Sequence, residues 1–143
     1  MSSAKHQYLL RLPGALQVLL DLPQPLFDDP AACLLLGAYL PGVELADLSE
    51  KNAKSGKGLV TIALRQSSKP RLSLSKNGKS YTFFTPSTGD ALMDLIFLTY
   101  GIVRQKWLKL GLYCVHAACL ENQQKQLSLI VGHSGVGKTA ITL

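Results

Sequence analysis

Cysteine is scarce in this chain of 143 residues: Cys33, Cys114 and Cys119 are odd in number and show no C-x-x-C spacing. That excludes a zinc ribbon or a disulfide framework and suits a reducing compartment, with the three thiols expected as packing residues. Charge is also thin, at 17% of residues, and acids are the scarcer sign, with nine Asp and Glu against fifteen Lys and Arg for a net +6. Such a balance suits phosphate-bearing ligands without requiring one. Aromatics make up only 7%, and no arginine-rich stripe alternates with them, so nucleic acid is not an expected partner. The longest apolar runs outside the last strand, Ala31 to Leu40 and Ala91 to Val103, are too short to span a bilayer, and the second contains Asp94. No signal peptide is expected either, since Lys5 and His6 precede an apolar stretch broken by Arg11, Pro13 and Asp21. A cytoplasmic protein without a membrane partner is the expectation.

What is present is a phosphate-binding motif. Gly132 to Thr139 reads G-H-S-G-V-G-K-T, a complete G-x-x-x-x-G-K-[ST] (Walker A) loop. At ordinary residue frequencies the four fixed positions would co-occur in a chain of this length about half a percent of the time. The context fits too: Gln126 to Val131 is an apolar run that reads as a buried strand feeding straight into the glycines. Consecutive backbone N–H groups in such a turn form an anion site. Gly132 would make the sharp exit from the strand, while Gly135 and Gly137 let the backbone approach phosphate with no Cβ in the way. Ser134 and Val136 complete the cradle. Lys138 would reach the β- and γ-phosphates of ATP, and the Thr139 hydroxyl would ligate Mg²⁺. His133 occupies a variable position, where an exposed side chain is expected.

The rest of the chain reads as an α/β domain, with α+β as the alternative, since 47% hydrophobic residues are ample for a core. Tyr8 to Leu12 and Leu16 to Leu20 are strand candidates around a Pro13-Gly14 turn. Asp29-Pro30 reads as an N-cap with proline at the first helical position, and Pro41-Gly42 as the stop. Ser49 to Gly58 reads as a loop, with Lys51, Lys54 and Lys57 most simply solvated. Leu59 to Gln66, Arg71 to Ser75 and Ser80 to Thr85 read as strands, the last two joined at Asn77-Gly78. A long helix is expected from about Gly89 to Leu110, with Thr88 as N-cap, Asp90 in the first turn and Gly111 just past its end. Its stripe of Leu92, Leu95, Ile96, Thr99, Val103 and Trp107 reads as core packing. Tyr113 to Leu120 is the next strand and Glu121 to Lys125 a polar turn, so the phosphate loop follows a strand-turn-strand with no helical crossover. The expected division is an N-terminal antiparallel region, residues 1–86, followed by the helix and the start of a nucleotide-binding core, residues 87–143.

Val115 to Thr139, V-H-A-A-C-L-E-N-Q-Q-K-Q-L-S-L-I-V-G-H-S-G-V-G-K-T, resembles the bacterial HPr serine kinase/phosphorylase family. The resemblance rests on the His116-Ala117 pair, the returning strand and the Ser134-Gly135 step inside the loop. It implies a phosphoenolpyruvate-carboxykinase-like fold, ATP and Mg²⁺ as cofactors, and the loop residues as phosphate ligands. It also implies that His116 lies beside the reacting phosphate. A histidine in an apolar strand is on residue type alone more often a packed one, and both readings stay open.

Family members carry paired aspartates downstream of the loop helix, and no residues here match them. Asp90, Asp94 and the Asp28-Asp29 pair fall in regions unlike those motifs. The chain is therefore expected to be part of a longer or split kinase, inactive alone, whose full form phosphorylates a serine hydroxyl on a protein, peptide or small molecule. The missing half, or an oligomer partner, would complete it. The alternatives are a non-catalytic nucleotide- or phosphate-binding regulatory module and a P-loop hydrolase of another type.

Overall fold

The computed structural model describes residues 6–48, 59–115 and 117–133. The chain divides into two compact units, Met1–Gly111 and Leu112–Leu143. In the first, β1 (His6–Leu12) and β2 (Leu16–Leu22) bury every second side chain, as a strand with one face on a core does, and pair antiparallel about a 3-10 turn at Pro13–Ala15. Helix α1 (Pro30–Tyr39) starts as its sequence dictates: the Asp29 carboxylate accepts the Ala31 N–H at 2.9 Å, and proline fills the first turn. A short strand that the pattern did not announce, β3 (Glu44–Asp47), follows and pairs with β1.

Next come β4 (Leu59–Gln66), β5 (Arg71–Leu74), β6 (Ser80–Thr85) and the long helix α2 (Leu92–Lys109). The strand order is β3-β1-β2-β4-β6-β5. The architecture is α/β, as expected, but the sheet is mixed where an antiparallel region was expected: β2 and β4 are parallel, as are β4 and β6. The β5–β6 hairpin closes at Gly78, which takes a φ of +65°, but β6 rather than β5 lies against β4. Tyr81 and Phe83 of β6 carry more apolar surface than Leu72 and Leu74 of β5, and they pack on the core while both leucines stay exposed. Burying the larger surface decides which strand goes inside.

Ala63 is buried on one face of the sheet, while the strand residues of the contiguous buried core share the other. Tyr8, Leu10, Val18, Leu20, Ile62 and Leu64 pack there with Leu36 of α1 and with Leu95, Ile96, Val103 and Trp107 of α2. Both helices therefore cover that face. The buried stripe of α2 belongs to the sheet's core, and the first compact unit runs to Gly111.

The expected N-cap of α2 is not used. Ala91 holds the cap position with no side-chain hydrogen bond, and the helix starts at Leu92. The preceding polar residues bond among themselves instead: Thr85 Oγ1 donates to the Ser87 carbonyl at 3.2 Å, and the Ser87 hydroxyl to the Asp90 carboxylate at 2.8 Å. Such local bonds offer the backbone an alternative to the helix. At the other end, Gly111 takes a φ of +75° and its N–H reaches the Leu108 carbonyl, as expected of a residue closing a helix. No described helix is long and apolar enough to cross a membrane. Of the cysteines, Cys33 is half-buried with its thiol on the Phe27 carbonyl, while Cys114 and Cys119 are exposed.

Ala15, in the turn between β1 and β2, has a φ of +56°, a left-handed conformation that crowds a Cβ. Ala15→Gly should stabilise the protein by about 1 kcal/mol, the strain relieved outweighing the extra flexibility of the unfolded chain. A lower midpoint in urea denaturation for the variant would contradict this.

Candidate phosphate-binding hairpin

The second unit is a hairpin in its described part. Strands β7 (Ala117–Glu121) and β8 (Leu127–Val131) pair antiparallel with Cys119 opposite Leu129. Between them Asn122 organises the turn. Its backbone N–H donates to the Gln126 carbonyl at 3.0 Å, and its side-chain oxygen accepts the N–H groups of Gln124 and Gln126. Its own carbonyl accepts the Lys125 N–H at 2.9 Å. Lys125 takes a φ of +60°, the left-handed position that closes a three-residue hairpin loop.

The first strand is shorter than expected, since Tyr113 to Val115 lie outside the ladder. The last described pair of the ladder is Ala117 with Val131, the residue before Gly132. Ala117 follows His116 in sequence, and Val131 precedes Gly132. Strand β8 was expected to be buried, yet Leu127, Leu129 and Val131 are each more than 60% exposed. They share a face with Ala117 and Cys119, while Ile130 lies on the other with Ala118 and Leu120. Both faces are thus apolar, the composition of a strand pair inside a covered sheet. Among the described residues of this unit only β7 pairs with β8.

Of the residues singled out in the motif, Gly132 is half-buried directly after β8, and His133 is exposed as expected. His116, Ser134, Gly135, Val136, Gly137, Lys138 and Thr139 lie outside the described residues, as do Lys51, Lys54 and Lys57. Among the described residues no group of three or more His, Cys, Asp or Glu could hold a metal ion. Compared with known protein families, curated proteins and solved structures, the chain matches none. The resemblance in Val115 to Thr139 therefore stands on the motif and its setting alone.

One cluster escaped the sequence pattern. In the first unit Lys79, Lys106 and Lys109 line a common cleft, although Lys79 is read most simply as a turn residue and the other two as partners of a helix dipole. Only the fold brings them together.

The turn of the hairpin can be tested directly. Lys125→Gly should stabilise the hairpin by roughly 0.5–1 kcal/mol, because glycine takes a positive φ without a Cβ penalty. Hydrogen exchange at the ladder amides of β7 and β8 should slow in proportion; unchanged or faster exchange would show that Lys125 is not held in that conformation.

Proposed function

We propose that this chain binds the triphosphate of ATP through Gly132 to Thr139, and that its full form transfers a phosphoryl group to a serine hydroxyl, as the HPr-kinase-like motif implies. The observation that carries the reading is the strand β8, which ends at Val131 and delivers the chain to Gly132 without an intervening residue. A phosphate loop needs that delivery, since its backbone N–H groups must turn inward at a fixed strand end.

The donor set fits a Mg²⁺-nucleoside triphosphate. Three glycines leave backbone N–H groups accessible, Lys138 supplies a mobile positive charge, and Thr139 offers a hydroxyl of the kind that ligates Mg²⁺ in such loops. When bound, ATP would supply the γ-phosphoryl group. The protein's share is charge neutralisation by Lys138 and orientation by the loop.

Calorimetric titration of the chain with Mg·ATP should show weak binding that Lys138→Ala abolishes. Equal affinity in the two proteins would overturn the assignment of the loop.

His116 is tested in the longer form. If it attends the reacting phosphate, His116→Ala should lower kcat for phosphotransfer by roughly 100-fold or more while changing nucleotide affinity little, because its interaction would be made in the transition state. A variant that instead loses thermal stability, with all activities falling together, would make it a packing residue.

A further inference from the structure

The cleft in the first unit has a volume of about 270 Å³. Its floor is apolar, with Leu16 from the start of β2, Leu59 and Val60 from the start of β4, and Leu110 just past α2. Gly14 and Ala15 of the β1–β2 turn form one wall, both at positive φ. Three lysines complete the lining: Lys79 just before β6, and Lys106 and Lys109 on the last turns of α2. No acidic residue and no arginine is among them.

Lysines at a helix C-terminus have an ordinary explanation, since they complement its partial negative charge. Here that explanation covers little. The carbonyls of Lys106, Trp107 and Leu108 already accept the backbone N–H groups of Leu110 and Gly111. What remains is about half a unit of negative charge against three full positive ones, and Lys79 comes from a different element. The one ion pair among the described residues is Arg65 with Asp21, so none of the three lysines is matched by a carboxylate there.

We propose that this cleft binds a small organic phosphate, its phosphoryl oxygens met by Lys79, Lys106 and Lys109 and its apolar body seated on Leu16, Leu59 and Leu110. The absence of acids from the lining rules out a cation, and three positive charges around an apolar floor fit a dianion carried on an uncharged body. Phosphate is favoured over carboxylate because the donors are lysines. A carboxylate is best met by the planar fork of arginine, whereas the ammonium group acts on phosphate as a point charge from any side. The volume is below that of pockets for drug-sized ligands, which limits the body to about one ring. The site belongs to the sheet unit and uses none of the residues of the phosphate loop.

The structure supplies a reporter for the test. Trp107, the one tryptophan, is buried beside the cleft with its indole N–H on the Pro13 carbonyl at 2.8 Å, next to Gly14 and Ala15. The experiment uses the full chain carrying Lys138→Ala, so that the proposed nucleotide loop is disabled and a failure of one site is not read as a failure of the other. Phenyl phosphate, inorganic phosphate and phenol are titrated in turn while Trp107 fluorescence is followed. Phenyl phosphate should give a saturable change, with an affinity roughly tenfold or more above that of inorganic phosphate, and phenol should give none. Replacing Lys79, Lys106 and Lys109 together by Gln should abolish binding, and Lys79→Gln alone should weaken it several-fold, with the unfolding temperature of the single variant preserved. Amide shifts in an NMR titration should cluster at residues 14–16, 59–60, 79 and 106–110. The proposal is overturned if phenyl phosphate gives no saturable change, if it binds no better than inorganic phosphate, if Lys79→Gln binds equally well, or if the shifts fall elsewhere.

Discussion

A sheet of six strands with helices on one side must bury that side well, and the apolar stripe of α2 supplies most of the cover. Leu95, Ile96 and Val103 are wholly withdrawn from water, and each such burial contributes about 1.5–3 kcal/mol. Thr99 joins the stripe at little cost because its hydroxyl donates to the Leu95 carbonyl one turn back, at 2.7 Å. The indole of Trp107 then ties the last turn to the β1–β2 loop. The placement of α2 follows from these contacts, and with it the position of the basic residues at the helix end. The cationic cleft is a by-product of how the core is covered.

The division into two units separates two kinds of stability. In the first, a continuous core joins strands and helices. In the second, the described part is one hairpin with apolar residues on both faces, and a lone two-stranded hairpin is marginal in water. The element that delivers the candidate phosphate loop is thus the one with less burial to hold it, a common property of segments that order around a ligand.

Much of the fold was legible because its signals are local. Asp29 and Pro30 start α1 with their own atoms, Gly111 ends α2 because its φ is positive, and Asn77-Gly78 lies in the tight turn where the pattern put it. Features that depend on competition or on distant partners were not. The start of α2 moved because Thr85, Ser87 and Asp90 found each other, and β3 is too short and too acidic to show a pattern. The insertion of β6 between β4 and β5 rests on a comparison of buried surface that no single segment records. At the candidate site, the strand-turn-strand leading to Gly132 was legible in outline, while its register and its exposure were not. Lys79 lies before β6 and Lys106 and Lys109 on the last turns of α2, far apart in sequence, and only the packing of α2 on the sheet unites them.

The strand order has a kinetic consequence. Strands β1 and β2, like β5 and β6, are neighbours in sequence and can zip as hairpins early, each closing only a short loop. Strand β4 has no such partner. It pairs with β2 across the whole span of α1 and β3, and with β6 only after β5 has been carried to the outer edge. Both pairings close longer loops than the hairpins do, as does that of β3 with β1, and topology slows such joins. Once in place it holds the two preformed halves together, and its removal would take both neighbouring ladders with it. The centre of this sheet is therefore the seam on which the union of the two hairpins depends.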